Sequence, residues 1–504
     1  MARLLFFLLL HVLAFDFSKA QDSPDNALTL DPVFSDHMVL QRNKPAKIYG
    51  KAVSGSIVTV QFQDKTRIAT ADQSGKWAAV FPASKEGGPY AISVSAKNQK
   101  IVLNDVLIGD VWLCSGQSNM DFALRDAQTG PEELRTGKFD PSLRLLKMGG
   151  VVATNDVAWD SISLAKVNRH EFFAGEWRTL DKTSAASFSA IAYYFGKHIK
   201  QKANVPIGLI QVALGGSPTE SWIDRKLLEQ DQHFAGMLGD WQHSTLVMDW
   251  CRDRAAVNLA NAKSSDQKHP FQPGYNFQAG IAPLTDFPIS GVIWYQGESN
   301  VFNVPLHERL FEMLVKSWRQ KWGDVFPFYY VQLSGIERPN WSEFRDSQRK
   351  LLTWIPNSGM TVSYDVGDSL NVHPIRKKEV GERLARLALR DHYQKQVVAY
   401  GPVPEKALME NGEIRIQFLN EKWSLSIQKR LSTKNNAPLT GFELISENGK
   451  RMAANARIVD HEVIITVPAG ERIKTVLYAY QPFTRANLYN EAGLPASTFS
   501  IEVK

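Results

Sequence analysis

The chain has 504 residues, 44% of them hydrophobic and 22% charged, with a formal net charge of +6. That length exceeds one ordinary core and calls for two or three domains of globular composition. No Lys/Arg tract is dense enough, or interleaved with aromatics, to line a nucleic-acid groove, so that class of partner is excluded.

Arg3 precedes an apolar run from Leu4 to Phe15, and Ser18-Lys19-Ala20 offers small residues where a signal peptidase reads. Residues 1–20 are therefore expected to be a cleaved secretory signal, leaving a periplasmic or secreted protein that begins at Gln21. No later apolar run reaches about 18 residues, so no transmembrane segment is expected. Two cysteines, Cys114 and Cys251, are too few for a disulfide scaffold, and their pairing is left open.

Residues 21–105 read as an N-terminal β-sandwich-like domain. Short, roughly alternating runs begin at Ala46, Ser56, Arg67, Lys76 and Tyr90, separated by Gly50, Gly55, Asp72 to Gly75 and Gly87-Gly88. The character changes at Val106, where Val106 to Leu113 forms a continuous apolar run, the pattern of a buried strand. From there to 397, strands at Val205–Ala213, Ile289–Tyr295, Phe326–Leu333 and Gly359–Tyr364 alternate with helices at Ala185–Lys202, Pro305–Lys321, Glu343–Trp354 and Ile375–His392. This alternation predicts a parallel sheet covered on both faces. Phe122 to Ser184 and Asp224 to Gln272 do not fit the repeat and are expected to decorate its rim. Residues 398–504 return to strands, at Glu413–Phe418, Trp423–Gln428, Phe442–Ser446, Glu462–Val467 and Thr475–Tyr480, as a C-terminal β domain.

Four stretches carry candidate chemistry, each at the carboxyl end of a predicted parallel strand, where α/β enzymes place reacting groups. The first is Ser115-Gly-Gln-Ser-Asn119, a polar turn in which Ser118 would face free N–H groups if a helix starts near Asn119. Alone, an ordinary serine-capped turn explains it equally well. The second, Ala213 to Trp222, has two glycines whose N–H groups could hold an oxyanion. The third, Trp294 to Asn300, delivers Gln296, Glu298 and Asn300 within five residues. An amide can donate to an oxyanion, and a carboxylate can orient an imidazole. The fourth, Asp365 to Pro374, brings His373, able to take a proton from a serine hydroxyl, ahead of a proline suited to the first turn of the next helix. No HExxH, paired-cysteine, P-loop or GxGxxG motif occurs, so no cofactor is expected, although Asp365 and Asp368 are acids that could approach a divalent ion.

GQSNM at 116–120, GGSPTESW at 215–222, WYQGESN at 294–300 and His373-Pro374, followed by Lys378 and Glu382-Arg-Leu-Ala385, resemble the sialate O-acetylesterase family of SGNH hydrolases. The resemblance runs from Leu28 to the end. It implies an α/β fold with an SGNH-type, flavodoxin-like three-layer catalytic domain and flanking all-β domains. It also implies a cofactor-free serine esterase acting on O-acetylated sugars, sialic acid foremost. Acetylated xylan or pectin is the alternative substrate, and a non-catalytic carbohydrate-binding protein a more distant alternative. Carried onto this chain, Ser118 is the nucleophile and His373 the base. Ser118 and Gly216 (through their N–H groups) and Gln296 would form the oxyanion hole. Relatives place an aspartate two or three residues before the histidine, where this chain has Asn371 and Leu370. The orienting acid is then Glu298, with Asp368 as the other candidate. Trp222 and Asn300 are expected to bind substrate. Arg345, at the start of a helix that should begin on the Ser118 side, is the expected partner for a sugar carboxylate, the alternative being a solvated or structural arginine.

Overall fold

The computed structural model describes residues 28–419 and 431–504. The expected leader at 1–20 and the expected strand at Trp423–Gln428 lie outside these residues. Among the described residues no helix is long and apolar enough to cross a membrane.

The strand Gln99–Gly116 runs unbroken for 18 residues through the expected domain boundary at 106. Its first part pairs antiparallel with Gly87–Ala96 in the N-terminal module, from Ala96↔Gln99 to Gly87↔Ile108. Its second part pairs parallel with Ile207–Ala213 and with Gly291–Tyr295. Burial follows the change of partner. Side chains are mostly partly or fully exposed up to Asp105, and every residue from Val106 onward is buried. A sheet with one solvated face tolerates polar positions, whereas a parallel sheet covered on both faces does not.

The result is a mixed sheet of 11 strands. Its α/β part is ordered Trp177–Thr179, Leu143–Lys147, Ile207–Ala213, Gln99–Gly116, Gly291–Tyr295, Phe328–Gln332, Ser358–Val362, all parallel except the first. Leu143–Lys147 corrects the expectation that 122–184 is only rim. Its pattern is hidden by Arg144, which is buried because its guanidinium forms a bidentate pair with Asp105 at 2.6 and 3.0 Å. On one face Val111, Leu113, Ile210, Val212, Val292 and Trp294 pack against helix Val304–Trp322. On the other, Trp112, Cys114, Leu209, Ile293 and Tyr295 pack against helices Ala190–Ala203 and Lys378–Asp391. The molecule is thus a three-layer α/β domain flanked by smaller all-β sheets. Helix 304–322 shows why the pattern was readable: Asn303 caps the N–H of Leu306, Pro305 lies in the first turn and Gly323 ends it in the left-handed region. Leu310, Phe311, Leu314 and Trp318 form its buried stripe, each contributing about 1.5–3 kcal/mol.

Two helices differ from expectation. The run read as one helix from Ala185 splits into Lys182–Ser187 and Ala190–Ala203, because Ser189 leaves helical geometry to cap the N–H of Ala192. The last helix starts at Lys378, so Pro374 lies before it rather than in its first turn. The C-terminal module contains two four-stranded antiparallel sheets, and its core incorporates Val362 and Tyr364 from the end of the last parallel strand.

Candidate functional site

Three adjacent strands end at one level, because Ala213 and Tyr295 both stand opposite Gly116. The Leu214–Gly216, Gln117–Asn119 and Gln296–Glu298 turns therefore leave the sheet side by side. Gly116 has φ +139, and a Cβ there would lie 2.1 Å from the carbonyl oxygen of Tyr295, so no other residue fits. Gln117 N–H donates to Tyr295 O at 2.9 Å and Leu214 N–H to Gly116 O at 3.1 Å, stitching the turns together. A single helical turn, Ser118–Asp121, follows, which leaves the Ser118 hydroxyl half-buried at its start.

His373 arrives from farther away. The strand that precedes it, Ser358–Val362, is three places from Gln99–Gly116 in the sheet. At about 4.8 Å per strand, the 363–373 loop must cross some ~14 Å. Its shape is held by Asp368, whose Oδ1 accepts from the N–H groups of Leu370 and Asn371 at 2.8 and 2.9 Å. Asn371 Oδ1 accepts from His373 N–H at 2.9 Å, and Glu337 N–H donates to Ser369 O at 3.0 Å. The loop ends with His373 Nε2 2.8 Å from Ser118 Oγ. Burial, and then the positive charges of Lys377 and Arg338, hold the His373 pKa below its ordinary 6.5, so the imidazole is kept neutral.

Neither expected acid makes a hydrogen bond or ion pair with His373. Glu298 is buried with Oε1 accepting from Asn119 Nδ2 at 2.6 Å, while its Oε2 has no hydrogen-bond partner. Burial raises its pKa, opposed by the Asn119 hydrogen bond and by Lys377 and Arg338. Asp368 is exposed and occupied with its own loop. Asp365 is also engaged, in a bidentate pair with Arg383 at 2.7 Å on both oxygens. Among the described residues no group of three His, Cys, Asp or Glu is arranged to hold a metal ion.

The oxyanion set needs similar revision. Gln296 is buried and spent: Nε2 donates to Asn300 Oδ1 at 2.7 Å and Oε1 accepts from Thr219 Oγ1 at 2.6 Å. Asn300 belongs to the same network, donating to Glu220 at 3.0 Å, and so ties the two loops together instead of facing a ligand. Trp222 is fully buried, its Nε1 on Ser217 Oγ at 2.9 Å and its ring against Trp294. Gly216, at φ +75, lies under the ring of Trp250, and a Cβ on Gly215 would lie 3.7 Å from that of Ser118. The Gly215–Gly216 turn thus runs beside Ser118. Cys114 and Cys251 are free, buried thiols.

Three side chains at the site had no assigned role in the sequence reading. Asn119 was inside a quoted motif. Nothing in the sequence sets Lys377 apart from its neighbour Lys378, which is exposed, whereas Lys377 is 1% exposed. Trp250, 44% exposed, lies beside the Gly215–Gly216 turn, with the Arg254 guanidinium over its ring 5.4 Å from the centroid.

Comparison with known proteins identifies a carbohydrate-esterase-type hydrolase. Residues 277–390 match the family model "Carbohydrate esterase, sialic acid-specific acetylesterase". The human sialate O-acetylesterase is 28% identical over 433 residues, covering 78% of this chain and 76% of that protein. The mouse enzyme is 27% identical over 429 residues, with 76% and 78% covered. A crystal structure of a carbohydrate acetylesterase from Xanthomonas citri superposes with a TM-score of 0.76 at 28% identity, covering 94% of this chain and 99% of that one. The chain is thus similar, over most of its length, to the sialate O-acetylesterase family of carbohydrate esterases.

Arg345 bonds to none of these site residues. It is fully buried, with Nε on Thr498 Oγ1 at 3.0 Å, Nη1 on Pro482 O at 2.9 Å and Nη2 on the carbonyls of Ala479 and Gln481 at 2.9 and 2.5 Å. It fastens helix Trp341–Trp354 to the C-terminal module, and burial pushes its pKa down to about 10. Arg345→Ala is expected to lower the urea-unfolding free energy by about 3 kcal/mol, because buried acceptors lose a charged donor. The folded enzyme should keep its kcat/KM; unchanged unfolding with a lost kcat/KM would instead return Arg345 to substrate binding.

Proposed function

We propose that this protein is an exported serine O-acetylesterase that removes acetyl groups from sialic acids. The observation that carries the reading is the 2.8 Å contact between Ser118 Oγ and His373 Nε2, with the imidazole held neutral. His373 takes the hydroxyl proton as Ser118 attacks the acetyl carbonyl. The N–H groups of Ser118 and the Gly215–Gly216 turn receive the oxyanion. His373 returns the proton to the departing sugar oxygen, leaving acetyl-Ser118. Water then attacks, again giving its proton to His373, and acetate leaves. Glu298 acts through Asn119 rather than on the imidazole. The order of the parallel strands also supports an SGNH-type, flavodoxin-like core: without Leu143–Lys147, numbering the remaining five along the chain gives 2-1-3-4-5.

One feature favours a charged sugar: Arg338 is an exposed guanidinium that makes no ion pair among the described residues. Arg338 sits on the 334–340 loop, which is bonded to the His373 loop through Glu337 and Ser369, and its charge acts on both His373 and Glu298. It takes the place that Arg345 does not fill.

Ser118→Ala should lower acetate release by at least about a thousandfold with the fold intact; undiminished release by the pure variant would remove Ser118 from the chemistry. Arg338→Ala, assayed on the pH plateau, should cut kcat/KM for O-acetylated sialic acid by roughly thirtyfold, the equivalent of ~2 kcal/mol for a charge-assisted hydrogen bond. A neutral aryl acetate should change by less than about twofold, within the scatter of a site that loses no such bond. Equal losses on both substrates, or none on either, would detach sialic acid from Arg338. Export rests on the Leu4–Phe15 run and Ser18-Lys19-Ala20, and intact mass of the protein from its native host should begin at Gln21; a retained Met1 to Ala20 would contradict it.

A further inference from the structure

We propose that Lys377 is a positioning residue of the esterase: its buried ammonium fixes the side-chain amide of Asn119, which holds the Ser118 turn against the His373 loop. The inference rests on the esterase reading above and adds a residue to it.

Lys377 donates from Nζ to Asn119 Oδ1 and lies over the rings of Phe122 and Tyr295, 4.6 and 5.8 Å from their centroids. Asn119 is fully buried, and its Nδ2 donates both to Glu298 Oε1 at 2.6 Å and to Val372 O at 3.0 Å. Asn119 follows Ser118, and Val372 precedes His373. One amide therefore joins the neighbours of the two reacting residues across 253 positions of chain.

An asparagine amide can turn over and exchange its oxygen and nitrogen. Here it cannot, because an ammonium only donates and a carboxylate only accepts. Lys377 claims the oxygen, Glu298 claims the nitrogen, and Val372 O receives the second N–H. A buried cation is costly, and a methionine of similar length would fill this space without that cost. What the ammonium supplies is a fixed amide orientation.

It also supplies charge. The charged groups acting on His373 are Lys377 and Arg338, both positive; Glu298 acts on Lys377, and Lys377 and Arg338 act on Glu298. Tyr295, whose ring Lys377 lies over, is a further titratable group, raised by burial and by Glu298. Burial pushes the Lys377 pKa down to about 7, so it is charged over the range where His373, held below 6.5, takes up its proton. The base works as neutral imidazole and is lost as pH falls through its pKa. Removing the ammonium raises that pKa, so the acid limb must move to higher pH.

The test compares Lys377→Met, Lys377→Arg and Asn119→Ala with wild type, using an aryl acetate. K377M should lower kcat at least about tenfold with KM little changed, and move the acid limb of kcat/KM upward by about one pH unit, the scale of one charge a few ångströms away. N119A should lower kcat similarly but leave the limb in place, since the cation stays, and K377R should also leave it in place. An unchanged kcat in K377M, or a loss with no movement of the limb, overturns the proposal. If K377M does not fold because Glu298 is left unpaired, the double variant K377M/E298Q carries the same expectation. His373 titration followed by NMR in the full chain reads the same shift without turnover. A wild type that hydrolyses no acetyl ester therefore fails the esterase reading, whereas an imidazole pKa unmoved by K377M fails this one.

Discussion

Everything at the site depends on the register of three parallel strands. Ala213, Gly116 and Tyr295 stand abreast, so the chain leaves the sheet at three neighbouring points on one line. Only a residue without a Cβ can pass Tyr295 O at Gly116, and the turn it permits sets Ser118 at the start of a helical turn. A slip of one residue in either pairing would turn the slipped strand's side chains to the opposite face and take its turn out of line with Ser118. The glycine turn after Ala213 and the polar turn after Tyr295 can meet Ser118 because their strands stop where its own does.

The buried charges of this domain are compensated in different ways, which separates scaffold from site. Asp365 and Arg383 form a direct bidentate pair, a closed unit that also accepts from Tyr489. Arg345 has no acid and spends its guanidinium on carbonyls and a hydroxyl. Lys377 and Glu298 are held apart by the amide of Asn119, and Glu298 Oε2 has no hydrogen-bond partner. The first two arrangements saturate their groups. The third leaves capacity unused beside Ser118 and His373.

Much of this was legible in the sequence. The Val106–Leu113 run, the glycine after it and the strand–helix alternation follow from periodicity and turn chemistry, and Ser118 and His373 stood out because both followed strand ends. What could not be read was which polar groups at strand ends are already spoken for. Gln296 and Glu298 look equally available in WYQGESN, yet Thr219 and Asn300, from another loop and one turn on, occupy the first, and Asn119 the second. Arg345 and Arg144 misled for a related reason. A charged residue reads as surface, whereas these two are buried by partners distant in the chain. Arg144 thereby concealed a sheet strand.

The continuous Gln99–Gly116 strand has a consequence for how the chain must assemble. Its first half finds its partner at once, in the hairpin with Gly87–Ala96, only two residues away at the turn. Its second half waits for Ile207–Ala213 and Gly291–Tyr295, some hundred and two hundred residues further along by the numbering of these strands. During synthesis, a run of buried-type residues from Asp110 to Cys114 is thus displayed without strand partners at the end of an already formed β module. Non-local parallel pairing is slow, and an apolar edge invites association with other chains while it waits. The strand that fixes the reacting serine is also the point at which an incomplete chain is most exposed to aggregation.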